Sequence, residues 1–312
     1  MTLKFYTKFF FKFIMVGALL FSSSAFAKEL RIGTASQGGA FYPVGQAISN
    51  LVNKHADGLT MVPVVTQGSV QNPKLVSNGE VNLGITNNNL AVFANKGAAM
   101  YKKNGKMNLR ALGALHFSVL HMMTTANSKI KTISDLKGKR IACGPAGGGT
   151  IPMMTQVLAL HGLTMKDIKP TFLSYADGFK QLADGNVDAA FALSGYPAGA
   201  ATQVIVTTKL KHLKMAPGKM DAALAKYKNY NLVNIPKSAY KTLSTGEVLG
   251  VNNMLVVDAS MSNDTAYKIT KAVYGNMKEF KENNSYANQI IPENSLKLKI
   301  PLHPGSEKYF KK

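Results

Sequence analysis

The sequence predicts an α/β protein of two similar lobes, each a mostly parallel sheet flanked by helices, with a ligand cleft between the lobes. Three observations predict it. Short apolar strands alternate with helical patterns along most of the chain, the order that gives parallel sheets with ligands at the strand C-terminal ends. One device, a strand running through a Gly-rich loop into a helix N-terminus, occurs twice, near residues 30–52 and 140–161. Two β-like stretches, 119–125 and 248–257, are placed to cross between the lobes and back.

Taken in order, Leu30-Arg31-Ile32-Gly33-Thr34 reads as a strand, and Ala35-Ser36-Gln37-Gly38-Gly39-Ala40 cannot continue it. Val44, Ala47, Ile48, Leu51 and Val52 recur at helical spacing. Met61 to Val65 is the next strand. Ser69 is placed to cap a helix through Leu75 and Val76, which Ser77-Asn78-Gly79-Glu80 stops. Val81 to Ile85 is a third strand, leading to the polar stretch Thr86-Asn87-Asn88-Asn89.

Ala111 to Thr125 holds two β-like runs around His116 and His121, the second being the first crossing. Ile133 to Leu136 is a short helical turn. The second lobe opens with the strand Arg140-Ile141-Ala142-Cys143 and the loop Gly144-Pro145-Ala146-Gly147-Gly148-Gly149. Thr150 is an expected N-cap for a helix entered through Ile151-Pro152 and stopped at Gly162. Its free N–H groups and positive dipole end favour an anion, and the bare backbone lets a ligand approach closely.

Strands at 171–174, 187–193 and 210–215 follow, with helices at 179–183, 198–206 and 221–227. Val248 to Val257 crosses back, Ala266 to Phe280 is an amphipathic helix, and Leu302-His303-Pro304-Gly305 is a terminal turn. The expected division is a leader at 1–27, lobe 1 from 28–120 and 256–312, and lobe 2 from 121–255.

The leader has Lys4, Lys8 and Lys12, then an apolar run from Phe13 to Phe21, then Ala25-Phe26-Ala27. That is the pattern of a secretory signal peptide cleaved after Ala27. It predicts an exported, periplasmic, mature chain without a membrane anchor. The apolar run is short for a span, and no later stretch reaches that length.

Thirty-seven Lys and Arg against 16 Asp and Glu leave a net +21, and removing the three leader lysines leaves +18. The field attracts anions, yet the lysines are scattered and form no nucleic-acid module. Cys143, the only cysteine, lies in an apolar strand, so it reads as a buried inert thiol with no disulfide partner.

Catalytic patterns are missing. Neither Gly-rich loop ends in the Gly-Lys-Ser/Thr of a P-loop, and there is no Gly-x-Ser-x-Gly elbow. Ser134-x-x-Lys137 lacks partner motifs. His116 and His121 fall on opposite faces of a regular strand, and His55, His161 and His212 stand isolated, so no metal site is expected. Tyr42 and Tyr196 each precede a Pro in a loop, where they can face a ligand or pack the lobes. Matched glycine loops in corresponding places point to ligand contact. No enzymatic activity and no cofactor are expected.

The ordered motifs resemble a known family. Gly33-Thr34 with Gly38-Gly39-Ala40-Phe41-Tyr42-Pro43-Val44-Gly45 is similar to the opening of TAXI proteins, the solute-binding subunits of tripartite ATP-independent (TRAP) transporters. Thr66-Gln67-Gly68-Ser69-Val70-Gln71-Asn72, Asp135 to Arg140, Gly144 to Thr150, Gly185 to Phe191, Gly195-Tyr196-Pro197 and Leu302 to Gly305 continue the resemblance.

The resemblance implies a type II-like two-lobe periplasmic binding fold. It implies delivery of a small organic anion or amino acid, such as glutamate or a dicarboxylate, by a monomer to a TRAP permease. It places ligand contacts at Thr34, Gly39, Tyr42, Gln67, Ser69, Gly149, Thr150 and Tyr196. Asn87 is added from its place after the third strand.

Two departures matter. The family often has Ser at Gly148, and often Arg at Ile151, whose guanidinium would bind a carboxylate through two bonds. Without it, backbone N–H groups, hydroxyls and helix dipoles must hold the anion, and a zwitterion or a less charged solute becomes an option. The alternatives are an ABC-type binding protein, a ligand-sensing or interaction module, and, further off, an exported hydrolase.

Overall fold

A computed structural model describes residues 28–240, 243 and 246–312. The leader therefore lies outside the described residues. The first half-sheet uses β1 (Lys28–Gly33), β2 (Leu59–Val64) and β3 (Leu83–Asn87), with α1 (Phe41–His55), α2 (Gln71–Ser77) and α3 (Asn88–Lys96) between and after them. β4 (Leu109–Thr125) follows. The second half-sheet uses β5 (Arg140–Ala142), β6 (Lys169–Thr171) and β7 (Ala189–Ser194), with α4 (Thr150–Leu160), α5 (Tyr175–Ala183) and α6 (Gly199–Val204). The chain then runs through β8 (Leu210–His212), α7 (Lys219–Lys226), β9 (Asn231–Asn234) and β10 (Glu247–Asp258). It ends with α8 (Asn263–Tyr274), α9 (Met277–Asn283) and α10 (Pro304–Phe310).

The strand order is β2-β1-β3-β10-β4-β7-β5-β6, with β8 beside β4 and β9 beside β10. Within each half the pairs are parallel: β1 with β2 and β3, and β5 with β6 and β7. The two long strands β4 and β10 run antiparallel to each other and to their neighbours. The sheet is thus mixed. The expected parallel character belongs to the crossover units, and the antiparallel part to the two connections between halves.

Both faces of each half are covered, which is why the strands read as continuous apolar runs. In the first half, α1 and α8 cover one face around Ile32, Ile48 and Ile269, while α2 and α3 cover the other around Val76, Ala91 and Tyr101. In the second, α4 and α7 pack on Ile141, Val157 and Phe191, while α5 and α6 pack on Phe179 and Ala201. β4 and β10 feed side chains into all four clusters. Their pairing breaks register between Asn252 and Met254, near where they pass from one half to the other.

Several elements differ from the sequence reading. The two runs around His116 and His121 are one 17-residue strand. Asn88 and Asn89 open a helix, α3, whose buried face is Leu90, Ala91 and Ala94. The helix expected over 266–280 splits at Gly275-Asn276. Ser69 does not cap α2, whose N-cap is Val70 without a side-chain bond. Thr150 is not an N-cap either: it sits in the first turn of α4, with Gly149 at the cap. The β6 strand ends at Thr171, where the reading starts it, and β9 has no counterpart in the reading.

Candidate functional site

β1 ends at Gly33, and a hydrogen-bonded frame then shapes the loop after it. The Thr34 backbone N–H and hydroxyl both donate to the Val64 carbonyl, the hydroxyl at 2.7 Å. Asn72 is fully buried, and its amide donates to the carbonyls of Gly33, Thr34 and Ile85 at 2.7–3.1 Å. Its oxygen accepts from the Thr66 hydroxyl. One side chain therefore holds together the ends of β1 and β3 and the loop after β2.

Facing this is the glycine loop of the second half. It is stitched across the cleft by backbone bonds: Val70 and Gln71 N–H groups both donate to the Gly147 carbonyl at 3.0 and 3.1 Å. Further along, Ala200 N–H donates to the Gly38 carbonyl at 2.9 Å, and Ala40 N–H to Ser194 Oγ at 2.9 Å. The halves are closed on each other. The bare backbone allows it: a Cβ on Gly147 would stand 2.7 Å from Gln67 Oε1, and one on Gly149 would stand 2.3 Å from Asn87 Oδ1.

A small cavity of about 10 Å³ lies between these walls, the space of one oxygen-sized group. One wall is Ala35, Ser36, Gly39, Ala40 and Phe41, at the N-terminus of α1. The other is Pro145, Gly148 and Gly149, at the N-terminus of α4, backed by Tyr175 and Leu193. Gln67, Gly68 and Ser69 complete it. Two helix N-termini from opposite halves thus meet there, each with first-turn N–H groups that have no partner inside the helix. No lining residue carries a charged side chain. Because so little free space remains, a solute of several heavy atoms enters only when the walls separate.

The structure brings Gly39, Gln67, Ser69 and Gly149 together on this cavity. Asn87 and Thr150 sit directly behind it. Asn87 is buried, and its amide donates to Asn253 Oδ1 at 2.7 Å, whose own amide donates to Ser118 Oγ at 2.9 Å. This chain of side chains ties β3, β10 and β4 together where β10 changes register. Thr150 Oγ1 lies 2.6 Å from Tyr175 Oη, and both accept from the Leu193 N–H.

Thr34, Tyr42 and Tyr196 do not line the cavity. The Thr34 hydroxyl points to Val64, Tyr42 is half-buried on α1, and the Tyr196 carbonyl accepts from Gln289 Nε2 at 2.8 Å. The aromatic groups at the cavity are instead Phe41 and Tyr175, and Ser36 is a further hydroxyl there. Tyr175 opens a helix in a stretch without a motif, so only the fold reveals it. Its phenol is pushed up by burial.

The histidines sit elsewhere. His116 is fully buried between the rings of Phe41 and Tyr286, and His121 stacks on His212 at 6.1 Å beside Tyr240. His212, read as isolated, is thus a ring partner. His55 and His161 have partners as well, Glu279 at 2.7 Å and the Ala216 N–H at 3.0 Å. Burial lowers both His116 and His121 to about 3, so both are neutral. Among the described residues no group of three His, Cys, Asp or Glu is placed to hold a metal. Among them, too, no helix is long and apolar enough to cross a membrane.

A family model described as NMT1-like matches residues 32–312. The chain belongs to the NMT1-like family. Among solved structures, this family member is similar to PhnD1 from Prochlorococcus marinus (MIT 9301), crystallised with methylphosphonate. The TM-score is 0.53 at 14% identity, over 88% of this chain and 95% of that one. It is also similar to a Listeria monocytogenes protein named as an L-cystine ABC transporter. There the TM-score is 0.52 at 12% identity, over 85% of this chain and 99% of that one. At those identities the likeness speaks to fold, and the fold is the two-lobe periplasmic binding protein fold.

A curated relative from Escherichia coli (strain K12), named for binding aliphatic sulfonates, is 38% identical over 68 residues. The match covers 22% of this chain, and the chain spans about a fifth (21%) of that relative's length.

Proposed function

We propose that this chain is an exported solute-binding receptor. It captures a small organic anion or amino acid between its two lobes and presents it to a membrane permease. The observation that carries the reading is the convergence of two Gly-rich helix N-termini, from opposite halves, on one uncharged cavity. Such walls supply N–H donors and dipole ends to an oxyanion and close over it as the halves come together. The leader at 1–27 supplies the route of export, and Gly39, Gln67, Ser69 and Gly149 the first contacts.

The membrane partner has two readings. The Listeria monocytogenes structure named for an ABC transporter favours an ABC-type importer. The ordered motifs from Gly33 to Gly305 favour a TRAP permease driven by an ion gradient. Uptake in vesicles carrying the cognate permease, with ATP or with an imposed gradient as the sole drive, separates the two.

The receptor reading is tested by thermal melting of Lys28 to Lys312 with carboxylates, sulfonates, phosphonates, amino acids and neutral sugars. A ligand at 100 times its Kd adds about 2.7 kcal/mol and raises Tm by several degrees. One chemical class moving the melt supports the reading. A flat panel, on protein shown by mass spectrometry to carry no bound metabolite, refutes it.

A further inference from the structure

Ser36 holds a hydroxyl that the fold does not use. The residue is 9% exposed, it lines the cavity, and its Oγ is buried without a hydrogen-bond partner among the described residues. Other buried hydroxyls of the neighbourhood are engaged by the chain: Thr34 on Val64, Thr86 on the Ser69 carbonyl, Thr150 on Leu193 and Tyr175, and Ser194 on Ala40. A buried hydroxyl with no partner costs stability, and such groups in native proteins point to something outside the chain that satisfies them.

The surroundings say what that something is. The helix N-termini of α1 and α4 bring donors to the cavity, so its natural occupant is an acceptor-rich group. The space, about 10 Å³, is that of a single oxygen atom. No Lys, Arg or His lines the cavity to offset a second negative charge, and no Asp or Glu lines it to accept from a protonated oxygen. We propose that Ser36 is a specificity-determining residue whose hydroxyl donates to one oxygen of a singly charged oxyanion head, a sulfonate or a carboxylate, held against the two helix N-termini. This rests on the receptor reading and adds to it the residue and the charge of the head group.

The experiment compares wild type and Ser36→Ala, both as Lys28 to Lys312, by thermal melting and calorimetric titration. The probes are methanesulfonate, propionate and, at alkaline pH, doubly charged methylphosphonate. Without ligand, Ser36→Ala is expected to melt at or above wild type, because it removes an unsatisfied hydroxyl. With methanesulfonate or propionate it is expected to bind about tenfold more weakly, the loss of one hydrogen bond to a charged group. Methylphosphonate is expected to bind wild type least.

A ligand-free Ser36→Ala that melts several degrees lower overturns the proposal, since Ser36 is then a structural contact. Equal binding by the two proteins overturns it, and so does a preference of wild type for the doubly charged probe. If neither singly charged probe moves wild type while another solute of the wider panel does, this inference falls and the receptor reading stands. If nothing in either panel binds, both fall.

Discussion

Gly147 offers a way to wedge the lobes apart without touching either core. A Cβ built there has Gln67 for its three nearest neighbours: Oε1 at 2.7 Å, Cβ at 2.8 Å and Cδ at 3.3 Å. Gln67 lies on the opposite half, and its Cβ cannot swing away as a chain end can. The clash of Gly147→Ala therefore exists only in the closed arrangement. Overpacking of this kind costs about 1–3 kcal/mol where it cannot be relieved. Opening relieves it, so the cost falls on closure and lowers the population of the closed form.

Binding that requires closure weakens by the same factor, roughly 5- to 150-fold. The Tm of the free protein should move by less than about 1 °C, since neither core is strained. The control is Gly113→Ala. Its Cβ would meet Tyr274 Oη at 2.3 Å and Cζ at 2.4 Å, both within the first half. No rigid-body movement relieves that contact, so the fold itself should lose about 1–3 kcal/mol, a drop in Tm of roughly 2–10 °C. Small-angle scattering reports the lobe opening, calorimetry the affinity for the solute found in the melting panel, and melting the stability. The reasoning is refuted if Gly147→Ala closes and binds like wild type, or if it melts as low as Gly113→Ala.

Three further outcomes follow from named contacts. Asn72→Ala removes from a fully buried site the amide that reaches the carbonyls of Gly33, Thr34 and Ile85 and the oxygen that accepts from the Thr66 hydroxyl. It should cost about 3 kcal/mol or more in urea unfolding. The low pKa values of His116 and His121, both near 3, mean that the unfolded chain binds more protons than the folded one between about pH 6.5 and pH 3. Stability is thus full above about pH 6.5 and falls as the pH drops through that window, by up to about 1.4 kcal/mol per pH unit for each histidine. His116→Phe should flatten this slope. The Cys143 thiol is fully buried and pushed up to about 12, so it should react with a thiol reagent only after denaturant opens the core.

Much of the fold is legible in local pattern because local chemistry decides it. Ile32 and Ile48 declare a strand and a helix by their spacing, and Gly38 must be glycine or nearly so at φ +88°. Asn72 stands in a motif, but its work, joining β1, β3 and the Thr66 loop, involves residues up to 39 positions away. The cap at Thr150 reads wrongly for a related reason. A hydroxyl before a helix is a good local cap, yet Thr150 has a stronger claim from Tyr175 and Leu193, which only the fold brings within reach. Among the expected contacts, Tyr42 and Tyr196 read as loop residues, yet Tyr42 stands on α1 and the Tyr196 carbonyl is held by the Gln289 amide.

The amino-acid order by itself determined the α/β alternation, the two glycine loops at helix N-termini and the isolation of Cys143 in an apolar strand. These are short-range matters, settled by backbone freedom and apolar spacing within a dozen residues. Only the tertiary structure decided that the two loops face each other closely enough for Gly147 to accept from Val70 and Gln71. The same is true of the Asn87, Asn253 and Ser118 chain that bridges three strands, and of the Ser36 hydroxyl, buried at the cavity without a partner among the described residues. Those facts depend on side chains and loops far apart in sequence meeting at fixed distances, and sequence spacing carries no information about such distances.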